Sequence, residues 1–148
     1  MQIDQWNFPN DLYYHEKHAW AKVEGDIVTT GVTDFIQFLA GEISYIDLPK
    51  EGDEFEQGSR IGTFGSEMGC CGGGGGWIGN YVAPVKGEII EVNKELEKSP
   101  ALINSSPYGD GWIVKMKMSN PSDLEKLMKD PEKVRAFVFS EVNKITNK

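Results

Sequence analysis

Ile27-Val28-Thr29-Thr30-Gly31-Val32-Thr33-Asp34-Phe35-Ile36-Gln37-Phe38-Leu39-Ala40-Gly41-Glu42-Ile43-Ser44-Tyr45-Ile46-Asp47-Leu48-Pro49 changes its period twice in one stretch. Residues 27–32 are rich in β-branched side chains, which favour an extended chain. Thr33 then offers the short hydroxyl of a helix N-cap, and Gly41 closes a short helix over residues 34–40. From Glu42 to Leu48 polar and apolar residues alternate as in a half-buried strand, which Pro49 ends. One short helix is therefore set between strands.

The same rhythm extends outward. His18 to Val23 alternates weakly, and Glu24-Gly25-Asp26 turns it into the 27–32 strand, a hairpin signature. Further turns fall at Glu51-Gly52-Asp53, Gln57-Gly58-Ser59 and Pro107-Tyr108-Gly109-Asp110-Gly111. Strands follow over Arg60–Phe64, Glu88–Val92 and Trp112–Met118. Two helices close the chain, one capped by Ser122 and one by Asp130 with Pro131 at its first position and its end near Asn143. Short strands joined by Gly and Pro turns predict a mainly β domain, a compact barrel or sandwich. The expected organisation is an irregular lead-in over residues 1–12, the β domain over 13–118, and C-terminal helices packed on it over 119–148.

The 148 residues suit one domain, with 39% hydrophobic and 26% charged content. No apolar run approaches the ~20 residues of a membrane span. The first residues lack the basic-then-apolar layout of a signal peptide, so a cytoplasmic protein is expected. A formal net charge of −8 disfavours nucleic acid and anionic membrane as partners and favours a basic patch on another protein.

Several pieces taken together resemble the glycine cleavage H-protein family. They are His18-Ala19-Trp20, Gly31-Val32-Thr33-Asp34-Phe35, Leu39 through Pro49, and Ala83-Pro84-Val85-Lys86-Gly87-Glu88-Ile89. Glu91-Val92-Asn93, Leu102-Ile103-Asn104 and Pro107 through Trp112 complete the set, and the likeness runs from about Tyr13 to Leu127. The resemblance implies a barrel-sandwich hybrid of the lipoyl/biotinyl type, and a carrier rather than an enzyme. Members carry an aminomethyl group on a lipoylated lysine at the tip of a hairpin. Family spacing places that lysine at Met68 when counted forward from Gly58 and at Gly76 when counted back from Pro84. The landings differ by eight positions, and no lysine lies anywhere between Gly58 and Pro84. Lys86 lies beyond the hairpin, where the family turns back into the domain. The family also usually places a glutamate where this chain has Ala19. No lipoyl lysine, and no lipoate or other cofactor of its own, is therefore expected.

The insertion, residues 67–79, holds both cysteines of the chain, Cys70 and Cys71, followed by Gly72, Gly73, Gly74, Gly75 and Gly76. Five glycines lose much backbone entropy on folding and otherwise behave as a short flexible coil. A vicinal thiol pair on that support is, like lipoate, a dithiol on a tether. It is the candidate carrier or redox site, working through its thiolates, although nearby Glu67 would raise the thiol pKa. A second reading is ligation of an iron–sulfur cluster or metal shared with a partner, since Cys-Cys-Gly resembles a fragment of heterodisulfide reductase-type cluster repeats. Those repeats need further cysteines, and this chain has none, so it holds no metal site by itself. A third treats the cysteines as small hydrophobes on a tolerated loop, leaving a non-catalytic docking or regulatory module of a multienzyme complex. A further alternative, implied by the resemblance, is the conventional glycine cleavage H-protein role. The expected partners are proteins of a multienzyme or redox complex, glycine cleavage-like or heterodisulfide reductase-like.

Other residues have plainer readings. His18 beside Trp20 suits packing, and His15 is three positions away, on the opposite face of a strand. Trp77 either packs on the barrel or anchors a partner. Glu88, Glu91, Glu95 and Glu97 suit a solvated surface, and Val134, Phe137, Val138, Glu141, Val142 and Ile145 follow the step of a helix packed on the core.

Overall fold

The architecture was obtained as a computed structural model, which describes residues 2–3, 6–67 and 76–146. Strand β4 (Ala19–Glu24) and strand β5 (Ile27–Val32) form the hairpin that the sequence announces, with Glu24 opposite Ile27. Gly25, at φ 67°, takes the left-handed position that such a two-residue turn requires. β5 also pairs with β11 (Val114–Met118), β11 with β10 (Gly87–Val92), and β10 with β7 (Glu54–Phe55). With β3 (Tyr13–Tyr14) added beside β4, the order is β3-β4-β5-β11-β10-β7.

A three-stranded sheet, β6-β8-β9, packs against this one. It consists of β6 (Tyr45–Ile46), β8 (Arg60–Ser66) and β9 (Trp77–Val82). Between the two sheets lie Ala21, Val28, Phe64, Tyr81, Val85, Ile89, Val114 and Met116, all nearly inaccessible to water. Burial of this order, at roughly 25 cal/mol per Å² of apolar surface, is the main force holding the layers together.

Helix α1 (Asp34–Ala40) is capped as expected: Ile36 N–H donates to Thr33 Oγ1 at 3.3 Å, and Gly41 follows with φ 74°. The strand expected over Glu42–Leu48 is shorter, with only Tyr45–Ile46 forming β6. Ahead of it, Gly41 and Ile43 are held by a side chain instead of a ladder. Asn104 Oδ1 accepts from Ile43 N–H at 2.8 Å, and Asn104 Nδ2 donates to Gly41 O at 2.7 Å. Asn104 belongs to α3 (Leu102–Ser105), which follows α2 (Glu95–Lys98). These single-turn helices bury one apolar residue each, Leu96 and Ile103.

The lead-in is not irregular. Residues 2–3 form β1 and residues 6–7 form β2, paired as Ile3 opposite Trp6. Ile3, Trp6, Phe8 and Leu12 are buried in a second core with Tyr14, Trp20, Phe35, Val134 and Val138. Trp6 meets Phe35 edge-on at 4.8 Å. Tertiary packing, not a local period, orders this segment.

At the other end, Ser122 lies inside a 3-10 turn (Pro121–Lys126) rather than before a helix. Asp130 does cap the last helix, α4 (Pro131–Thr146): its Oδ1 accepts from Glu132 N–H at 2.9 Å. Among the described residues, no helix is long and apolar enough to cross a membrane.

Candidate functional site

The β8–β9 hairpin stands where the resemblance puts a carrier arm. Its ladder runs from Gly62 opposite Tyr81 to Ser66 opposite Trp77, so Trp77, Ile78 and Gly79 belong to β9 and the connection proper is residues 67–76. Cys70, Cys71 and Gly72 to Gly75 lie outside the described residues, and Gly76 is exposed at the foot of β9.

Three contacts hold the foot of the connection. Trp77 is half-buried with its ring 5.2 Å from that of Phe64, so it packs on the barrel. A Cβ on Gly79 would strike the Trp77 ring, which leaves glycine as the residue that lets the indole lie along the strand. Ser66 Oγ donates to Ala40 O at the end of α1, tying the hairpin to that helix. Tyr81, lower on β9, donates its hydroxyl to Asp47 O beside β6.

A groove of about 550 Å³ opens next to this foot, lined by Glu42, Ile43, Ser44, Glu67, Lys98, Ser99, Pro100 and Ala101. Glu67 is the charge expected to raise the thiol pKa, whereas nothing in the sequence points to Lys98 beside it. Lys98 lines the same groove as Glu67 although the two are far apart in the chain, and no local pattern signals that proximity.

The early motif is buried. Ala19 is 1% exposed and Trp20 1%, with Trp20 Nε1 donating to Pro107 O at 3.0 Å. His18 has φ 68° and lies under α4, its ring stacked on Phe35 at 5.1 Å and tilted on Phe137 at 5.1 Å. Its Nε2 is 2.7 Å from Glu141 Oε1 and its Nδ1 3.3 Å from Thr33 Oγ1. A neutral ring protonated on Nε2 satisfies both contacts. Lys144 Nζ in turn lies 2.9 Å from Glu141 Oε2. His18 is thus a packing residue with a specific partner, Glu141. His15 and His18 are not on opposite faces of one strand but close the turn between β3 and β4, where His15 O accepts from His18 N–H at 2.9 Å and His15 Nδ1 accepts from Lys17 N–H at 3.0 Å. Among the described residues no group of three His, Cys, Asp or Glu side chains could hold a metal ion.

Burial lowers the His18 pKa, and the Glu141 carboxylate only partly opposes this. A histidine that resists protonation in the folded state stabilises the fold above its unfolded pKa, near 6.5, and loses that contribution as pH falls through its depressed folded value. The melting temperature should therefore drop on acidification from about pH 7. His18→Asn tolerates the left-handed backbone and should make that drop shallower, with the remainder coming in part from His15, which burial also lowers. Identical melting curves against pH for the two proteins would refute this assignment.

The family model described as glycine cleavage H-protein matches residues 12–140. The chain belongs to the glycine cleavage H-protein family. A glycine cleavage system H protein of Methylacidiphilum infernorum is 44% identical over 126 residues, covering 85% of this chain and 91% of that protein. That of Bacteroides fragilis is 39% identical over 132 residues, covering 89% and 98%. A probable glycine cleavage system H protein 2 of Saccharolobus solfataricus is 42% identical over 140 residues, covering 90% and 89%. The crystal structure of a glycine cleavage system H protein from Mycobacterium marinum superposes with a TM-score of 0.67 at 27% identity, covering 76% of this chain and 87% of that one. The barrel-sandwich fold expected of this family is the one observed, and H-proteins are carriers rather than catalysts.

Proposed function

We propose that this H-protein family member is a carrier whose working group is the Cys70–Cys71 dithiol instead of a lipoyl-lysine. One observation carries the reading: a fully laddered hairpin leads into a connection with two adjacent thiols and no lysine. Lipoate is joined to a protein through a lysine amine, so the residues of this hairpin do not fit it. Lys86 is no substitute. It follows β9 at the end opposite the tip, with its N–H donated to Asp123 Oδ2 at 2.8 Å and its ammonium 3.7 Å from Glu56.

The five consecutive glycines, Gly72 to Gly76, follow the thiols directly in the sequence. The cargo class is a sulfur, an acyl group or a redox equivalent. The partner is a complex of the glycine cleavage type, and the names of the relatives lend a heterodisulfide reductase-type partner no support. A second reading, a docking module without chemistry, draws on Ala19, 1% exposed, standing where the resemblance places a glutamate near the loaded arm.

The two readings separate on the cysteines. Protein purified from its own host without reductant should carry an adduct on the peptide containing Cys70 and Cys71, released by dithiothreitol. The Cys70→Ser/Cys71→Ser double variant should lack the adduct and should lose the activity of its partner complex. Full partner activity with the double variant sinks the carrier reading and leaves the docking module.

A further inference from the structure

We infer that the outer edge of β9 is a docking strand, to which a partner protein adds an extended segment with basic flanks. The inference stands whether or not the cysteines carry a group.

β9 ends its sheet, and among the described residues no strand pairs with its far side. The polarity of the ladder shows which of its groups are free. Ser44 N–H donates to Gly65 O at 2.9 Å and Asp47 N–H to Thr63 O at 2.8 Å, so Gly65 and Thr63 turn their backbone toward β6. Gly62, Phe64 and Ser66 therefore turn theirs toward Tyr81, Gly79 and Trp77. Ile78 and Asn80, opposite Gly65 and Thr63, direct their N–H and C=O groups outward.

Exposed edges are usually guarded by lysine, proline, a bulge or short length. Trp77-Ile78-Gly79-Asn80-Tyr81-Val82 carries neither a charge nor a proline. The register shift in this hairpin falls between Arg60 and Gly62, at the end away from the tip. Ile78 is 72% exposed, and Tyr45, 39% exposed, occupies the same cross-strand row with Gly65 between them. An apolar row beside an open ladder edge is the arrangement that strand addition uses, with main-chain bonds for affinity and alternate side chains for specificity.

The surroundings select the occupant. Glu67 follows β8 at the tip end of the hairpin, and it lines the adjoining groove with Glu42 and a single cation, Lys98. These carboxylates and a net charge of −8 favour a partner segment flanked by Lys or Arg, and disfavour a second copy of this chain.

The probe is the peptide acetyl-Lys-Val-Thr-Ile-Thr-Val-Lys-amide, compared with the same peptide ending in Glu at both positions. With the isotope-labelled full chain, the Lys peptide should shift the Ile78 and Asn80 amides and slow their hydrogen exchange, binding several-fold tighter than the Glu peptide. Ile78→Pro removes an outward N–H while sparing the β8–β9 ladder, so it should abolish the effect with β5 and β11 amides unchanged. Ile78→Thr, a good strand former, should keep the protection of Asn80. No response on β9, equal binding of the two peptides, or an unaffected Ile78→Pro would overturn the proposal. So would β9 amides already protected without peptide, whether by the chain itself or by a second copy revealed by concentration-dependent mass.

Discussion

Replacing Trp20 by alanine is expected to cost about 3–5 kcal/mol of folding stability, the range for deleting a buried tryptophan. The side chain is 1% exposed and belongs to the second core, between β4 and the segment ending in Leu12. Its ring lies flat over Gly31 on the paired strand, where a Cβ would come within 2.8 Å of Nε1. Its N–H donates to Pro107 O at 3.0 Å, and the ring tilts on Tyr108 at 5.9 Å. The variant therefore loses packing on three elements and leaves the Pro107 carbonyl unpaired. In a domain of this size each kcal/mol moves the melting temperature by about 3 °C, so a fall of about 10 °C is predicted. Trp20→Phe keeps most of the apolar contact and should lose only about 1–3 kcal/mol, the cost of the orphaned carbonyl. Thermal unfolding followed by circular dichroism measures both; an alanine variant that melts with the parent would contradict this account of the core.

The family motifs acquire physical reasons in this light. Gly31 is small because Trp20 occupies its space. Asn104 satisfies the backbone where α1 hands over to β6. Asn93, 6% exposed, donates to Asp110 O at 2.9 Å and Trp112 O at 2.7 Å, fixing the turn before β11. Each is a clamp on the frame that presents the hairpin.

Elements with a local signature could be read from the chain. Thr33 capped its helix, Gly25 turned the β4–β5 hairpin, and Asp130 with Pro131 opened α4 because short-range chemistry decides these points. The N-terminal β1–β2 pair could not be read, since Ile3, Trp6 and Phe8 have no period and gain order only from tertiary packing against residues of β3, β4, α1 and α4. The one-turn helices α2 and α3 are too short for a 3.6-residue pattern. The position of the hairpin was legible from motif spacing, and the absence of its lysine from the letters alone. The meeting of His18 with Glu141, 123 positions apart, and the lining of one groove by both Glu67 and Lys98 were not, because only the fold brings them together.

The largest functional consequence concerns lipoylation, and its expected effect is all or none. An attachment site needs a lysine displayed at a hairpin tip, and the hairpin here closes at Ser66 opposite Trp77 with no lysine from Gly58 to Pro84. Lys86 is separated from the tip by the length of β9, roughly 17 Å at 3.3 Å per residue, and is engaged by Asp123 and Glu56. Lys98 sits on the one-turn helix α2 beside the groove, not on the hairpin. A lipoate ligase that modifies a lysine-bearing H-protein should therefore leave this chain unmodified under the same conditions. The most direct test is the mass of the intact protein isolated from its own host, grown with lipoate available. The account predicts no lipoyl increment on any residue, with any reductant-sensitive adduct confined to the peptide holding Cys70 and Cys71. A lipoyl group found on a lysine of this chain would contradict it.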